Sequence, residues 1–377
     1  MILTVALLLP IALVFAINAL IDPVLYRWPR QTWLPDAAYI QFDREAHYNL
    51  LAHARPRSLI LGNSQTQHGI APDSWKAPAP VVNGGMVGGD LPEIRRSLRI
   101  AQGAGRVEEA ILGVDFTMAK RRVGAPPTTH DDYLVSPGGA IRPANLKGLI
   151  SFTLLRTSLS QFVNSTLRRI HYFGWKGEAL DRLYESSTGG DGGTLGAMAQ
   201  RLGQFEQNLG AGSNDFEGQL RGLRDDACGG GTTLRVYLTP LHALWRSSIV
   251  EKGQLDAFEA WKRAITRVAS ERPECGFEVW DFNTINPLTT EPVPSLGAKD
   301  ALRASWDGVH FKPWIGDRIL ERMGKGSAAQ DGFGVPLTPA TIDDALARDR
   351  LAAERYRASE DGKAAAAIVH GRTSTKP

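Results

Sequence analysis

Short apolar runs recurring between stretches of helical character constrain this chain more than any other feature. They fall at residues 58–61, 80–83, 110–115, 234–239 and 277–282, each flanked by glycine, proline or polar residues. Runs of that length bounded by such residues read as buried strands. Strands alternating with helices specify an α/β fold with a doubly wound parallel sheet. Sheets of this kind place their sites beyond the carboxyl ends of the strands, which directs attention to the residues just after each run.

The first run, Leu59-Ile60-Leu61, stops at Gly62, and Asn63-Ser64 follow. Glycine permits a sharp turn there, so that a serine hydroxyl and the next amide can face a cleft. Taken alone, Asn63 and Ser64 serve equally well as turn or helix-cap residues. Near the other end of the apolar pattern stands Trp306-Asp307-Gly308-Val309-His310-Phe311, ahead of a helical segment from Trp314 to Met323. An aspartate three residues before a histidine can supply two members of a hydrolytic triad. The carboxylate fixes the imidazole tautomer, and the ring accepts the serine proton.

In these two blocks the chain resembles the SGNH/GDSL hydrolase superfamily, over roughly residues 56–118 and 230–323. The resemblance implies Ser64 as nucleophile, His310 as general base and Asp307 as its orienting partner. It implies an oxyanion site formed by the Ser64 amide and a glycine of the Asn83–Gly89 turn, with Gly88 the carried position and Gly89 its competitor. The sequence departs from the family pattern at Asn63, where aspartate is usual, and at Asp115, where an asparagine donor is usual. An ionised aspartate only accepts hydrogen bonds. Asp115 therefore either stays protonated, anchors a loop or binds substrate hydroxyls. The Gly212-Ser213-Asn214-Asp215 stretch matches the family's third block literally, but it lies between two helical segments, where capping explains it better.

Within the superfamily the chain is similar to the membrane-tethered bacterial branch of alginate-type O-acetyltransferases and the D-alanyl-teichoic acid protein. The features are an apolar N-terminus, Asp22-Pro23, the Val114-Asp115-Phe116 strand end and Pro240-Leu241-His242. This branch implies acyl transfer or ester hydrolysis on a cell-envelope or exopolysaccharide, with a membrane-bound acyltransferase as partner and neither cofactor nor metal. The departures at Asn63 and Asp115 keep a different class open, a non-catalytic scaffold or carbohydrate-binding subunit. A cytoplasmic thioesterase is a third reading.

The remaining sequence sets boundaries. With 377 residues, 43% of them hydrophobic, the chain can bury a full core. A formal charge of +3 without a basic, aromatic-laced stripe argues against nucleic acid. Residues 2–21 carry no charge and are about long enough to cross a bilayer. An uncleaved anchor over residues 1–22 is the expectation, with a signal peptide or a buried helix as alternatives. Arg27 and Arg30 after it favour a cytoplasmic body by charge bias, whereas the resemblance implies a periplasmic one.

A connector follows over 23–55, helical from Asp43 to Ala54. The hydrolase-like domain spans 56–323, interrupted at 117–225 by a helical insertion expected to act as a cap or substrate platform. That insertion holds the aromatic group His171-Tyr172-Phe173-Gly174-Trp175 and the glycine run 189–193. His242, after the fourth strand, is expected either to touch substrate or to cap the next helix. Asp281 is assigned no catalytic part. Cys228 and Cys275 each precede a strand and can pair if those strands are neighbours, although sequence alone leaves two unrelated thiols equally open. The tail, 324–377, is expected to be peripheral, partly helical or disordered.

Overall fold

The computed structural model describes residues 2–27, 42–120, 133–136, 139–167, 176, 192–326 and 331–373, with side chains on the first helix from Leu8. The His171–Trp175 aromatic group, most of the 189–193 glycine run and much of the connector lie outside these residues. In chain order the elements are α1 (Ile2–Ile21), α2 (Asp43–Ala54), β1 (Ser58–Leu61), α3 (Ser64–Gly69), β2 (Val81–Asn83), α4 (Leu91–Ala104) and β3 (Glu109–Val114). Next come α5 (Thr117–Lys120), α6 (Pro143–Leu149), α7 (Phe152–Leu167), α8 (Gly193–Gly210) and α9 (Phe216–Gly229). The last group is β4 (Thr233–Leu238), α10 (Ala243–Glu251), α11 (Leu255–Ser270), β5 (Glu278–Asp281), α12 (Pro313–Lys325), β6 (Val335–Leu337), α13 (Ile342–Ala358) and α14 (Glu360–Thr373).

The six strands form one mixed sheet of order β2-β1-β3-β4-β5-β6. The first five pair in parallel, with Leu59 beside Ala110 and Leu112 beside Val236, while β6 closes the edge antiparallel to β5. Every strand read from the sequence is present to within a residue or so. Side chains alternate across the sheet, as strand geometry requires. Leu59, Leu61, Leu112, Val236 and Val279 pack with α4, α9 and α11 on one face. Ile60, Ile111, Tyr237 and Trp280 pack with Phe311 and with Ile315 and Ile319 of α12 on the other. Each such side chain, fully buried, contributes about 1.5–3 kcal/mol of transfer free energy. In α11, Phe258, Trp261, Ile265 and Val268 recur at helical spacing, and all four are buried in the first cluster.

Two expectations change. The tail is not peripheral: β6 extends the sheet, and α13 and α14 fold back onto the domain, α14 against α10. Asp349 of α13 pairs with Arg246 of α10 at 2.8 Å, and Lys262 of α11, fully buried, pairs with Asp281 of β5 at 2.6 Å and lies 3.9 Å from Asp349. Asp281 is thereby a structural carboxylate, consistent with its having no catalytic assignment. At the other terminus α1 is helical, and the buried Asp22 carboxylate ends it by accepting from the amides of Tyr26 (2.7 Å) and Arg27 (2.8 Å). Among the described residues no helix is long and apolar enough to cross a membrane, so a spanning α1 finds no support there. Instead α1 packs along α7 and against α6.

Because β4 and β5 are parallel neighbours, the segments entering them lie together, and Cys228 and Cys275 form a disulfide with Cα atoms 5.3 Å apart. The bond closes a loop across 47 positions, α11 included. Replacing both cysteines by serine is expected to lower stability by about 2–4 kcal/mol through the larger entropy of the unfolded chain. Urea unfolding of the double variant against wild type measures this, and equal midpoints would count against it.

Candidate active site

The site forms where β1 and β3 end. Gly62 turns the chain at φ 155°, a conformation L side chains rarely adopt, and a Cβ there would meet Thr66 Oγ1 at 2.2 Å. Asn63 then caps α3, its Oδ1 accepting from the Gln65 amide at 3.0 Å. Ser64 is thus the first helical residue, with its side chain at the mouth of a cavity of about 380 Å³. The loop after β2 runs alongside this turn, through a bridge between Asn63 and Met86 and a hydrogen bond from the Met86 amide to the Gly62 carbonyl. That places Gly88, at φ 62°, on the cavity wall beside Ser64.

The turn before α12 brings in the other two members. His310 Nε2 lies 2.9 Å from Ser64 Oγ, and His310 Nδ1 lies 2.8 Å from Asp307 Oδ2. A carboxylate can only accept, so Nδ1 carries the proton and Nε2 is left to accept from the serine hydroxyl. Asp307 also accepts from the amides of Val309 (3.1 Å) and His310 (2.8 Å), which fixes the turn itself. Burial alone would push the Asp307 carboxyl up. The His310 ring and amide, with Arg201, outweigh it and hold the group well below the usual carboxylate range. The His68 ring packs edge-on against His310 at 5.4 Å between centroids.

Asp115 is not an oxyanion donor. Its Oδ2 accepts from Asn63 Nδ2 and from Gln65 Nε2 (2.9 Å), and its Oδ1 from Thr117 N (2.7 Å), Thr117 Oγ1 (2.5 Å) and Met118 N (3.2 Å). Of the three roles open from sequence, these bonds show it anchoring the loops, clamping both residues that flank the serine, and it also lines the cavity. His242 does not line the cavity. It caps α10, with Nδ1 accepting from Leu244 N at 3.1 Å and Nε2–H donating to the Glu291 carbonyl at 2.7 Å. Asp215, in the stretch that imitates the family's third block, caps α9 by accepting from Gly218 N at 3.0 Å.

The insertion, expected as a cap or substrate platform, supplies cavity residues that the sequence did not single out. Helix α8 roofs the cavity with Arg201, Gln204, Phe205, Gln207 and Asn208. Arg201 Nε donates to Asp307 Oδ2 at 3.1 Å, a direct tie between the insertion and the relay. The aspartate is almost fully buried and the arginine about one-third exposed. Nothing in the spacing of these polar residues distinguishes them from a solvated helix face. Among the described residues no cluster of side chains is arranged to hold a metal ion.

Two predictions follow from these contacts. Asn63→Asp sets two carboxylates against each other and Asp115→Asn loses acceptor capacity, each costing about 1–3 kcal/mol. The double exchange restores a donor–acceptor pair and is expected to recover at least half of the summed loss, read from denaturant unfolding of all four proteins. The His242 ring is pushed down to about 4, chiefly by burial. The folded state therefore disfavours its protonation, and this stabilisation is complete above about pH 6.5 and lost as pH falls toward 4. Asn can still cap a helix, so His242→Asn is expected to flatten the fall in melting temperature between pH 6.5 and 4.5; an unchanged slope would refute the assignment. Searches against family models, curated proteins and solved structures find no match to this chain.

Proposed function

We propose that the chain is a serine-dependent acyl-ester hydrolase or O-acyltransferase of the SGNH type, acting on a hydroxyl-rich envelope polysaccharide. The observation that carries the proposal is the Ser64–His310–Asp307 relay, hydrogen-bonded throughout and opening on the cavity. In this reading Ser64 Oγ attacks the ester carbonyl carbon while its proton passes to His310 Nε2. Amides near Ser64 and Gly88 receive the tetrahedral oxyanion. Collapse expels the alcohol, which leaves with the proton from His310, and an acyl-serine remains. Water or a sugar hydroxyl then attacks that ester, with His310 again taking the proton. Attack by water gives an esterase; attack by a hydroxyl gives a transferase.

Several features support a polyhydroxylated substrate. Gln204, Gln207 and Asn208 carry amide groups that can both donate and accept, and Gln65 lines the cavity with a buried Oε1 that has no partner among the described residues. The disulfide supports an oxidising compartment, which agrees with a body outside the cytoplasm held to a membrane near α1. A membrane-bound acyltransferase would then act as acyl donor to Ser64.

The test uses the full chain, as wild type and Ser64→Ala, with a chromogenic acetyl ester and mass spectrometry of the Ser64 peptide. Wild type is expected to form an acyl adduct and turn over, and the variant to lose about a thousandfold or more in kcat/KM with no adduct. Oligosaccharide acceptors then separate transfer from hydrolysis. If both proteins are folded, inert and free of adduct, the proposal fails, and binding of polysaccharide by a non-catalytic scaffold replaces it.

A further inference from the structure

Helices α1 and α7 are inverted in polarity. Polar residues line the inner face of α7: Ser158 is 0% and Gln161 1% exposed, and Thr157 is buried as well, while Thr153, Ser160 and Thr166 are exposed. On α1, Asn18 is also fully buried. Its Nδ2 donates to the carbonyls of Leu149 (2.9 Å) and Ser151 (3.1 Å), and its Oδ1 accepts from Ser158 Oγ at 2.9 Å. Val14 and Leu154 are buried, but a larger set of apolar residues faces outward: Leu9 of α1 is 65% and Phe152 of α7 73% exposed, with Leu13, Leu20, Leu159 and Val163 also turned out. A helix pair in water does the reverse, because exposing large aliphatic groups while burying amides and hydroxyls forgoes transfer free energy on both counts. In hydrocarbon the same arrangement is favourable, since polar side chains then join helices and apolar ones meet acyl chains.

Charge points the same way. Residues 2–21 carry none, and between Asp132 and Glu178 no acidic residue occurs. Arg142, Lys147 and Arg156 in that interval are exposed beside the apolar face. Cations beside an apolar surface complement anionic lipid headgroups. A protein groove would match the apolar face, but it would not explain the buried polar seam together with these cations.

We infer that the outer face of the α1–α7 pair is seated in the hydrocarbon of an anionic bilayer, so that the insertion, as well as the N-terminus, contacts lipid. This deepens the membrane part of the proposed function and needs nothing of the Ser64 chemistry. It places the insertion, from which α8 also comes, at the membrane surface.

The chain's only two cysteines are joined in the disulfide, so Leu159→Cys in the full chain gives a single labelling site. An environment-sensitive fluorophore is attached there, or at Ala347→Cys on exposed α13 as control. Each protein is reconstituted with vesicles of phosphatidylcholine and phosphatidylglycerol, with and without spin-labelled acyl chains. The label at 159 is expected to shift to the blue and to be quenched severalfold more than the label at 347. In parallel, the triple variant Leu159→Ser, Phe162→Ser and Val163→Ser, with its fold checked by circular dichroism, is expected to bind vesicles at least tenfold more weakly than wild type. Equal quenching at the two sites, with wild type on the vesicles, overturns the inference while leaving an α1-borne anchor standing. Lipid-free dimerisation that buries the 159 label overturns it in favour of a second copy of the chain. Failure of wild type to bind vesicles at all removes the membrane reading together with it.

Discussion

The Asp115 carboxylate is the interaction on which the candidate site depends. It stands at the end of β3, one strand from the serine turn, and it collects hydrogen bonds from Asn63, Gln65, Thr117 and Met118. Residues 63 and 65 flank Ser64, so the position of the serine is set from both sides by a group on the neighbouring strand. A buried carboxylate is costly unless its oxygens are satisfied, and here both are. The parallel register of β1 and β3 makes this reach possible, because it brings the carboxyl ends of the two strands to the same edge. The turn before α12 only has to deliver an imidazole to a serine already held in place.

How much of this was legible in the sequence varies with the kind of signal. The five parallel strands were readable because each is a short apolar run closed by turn residues. The Ser64, Asp307 and His310 positions were readable because their types and order suit one chemistry. Strand β6 was not. At three residues, Val335-Pro336-Leu337 is too short for periodicity, and its proline suits only a sheet edge, which is where it lies. His242 was ambiguous by nature, since a histidine after a strand can cap or bind, and only the Leu244 and Glu291 contacts decide. The residues of α8 gave no signal at all. A polar helix face looks the same whether it meets water or roofs a cavity, and tertiary placement alone separates the two.

The roof changes the chemistry available below it. Arg201 brings a positive charge to Asp307, donating to the same oxygen as the imidazole, and the two together hold the carboxyl low. Helix α8 also lines the cavity beside Ser64. In the proposed reaction, access of water past that helix would bear on whether an acyl-serine is passed to a hydroxyl or hydrolysed.

The buried charges under α13 carry a different consequence. Lys262 and Arg246 lie in the half of the domain around β4 and β5, and Asp281 balances only one of them. The second counter-charge, Asp349, comes from a helix that follows every strand of the sheet in the chain. Until that helix docks, Arg246 lacks its carboxylate, and burying it without that partner would be costly. Completion of the core is therefore tied to the order of synthesis. The sheet can begin to form as its strands emerge, but its last two parallel strands reach their final packing only after a segment made later than all of them has closed over the charge.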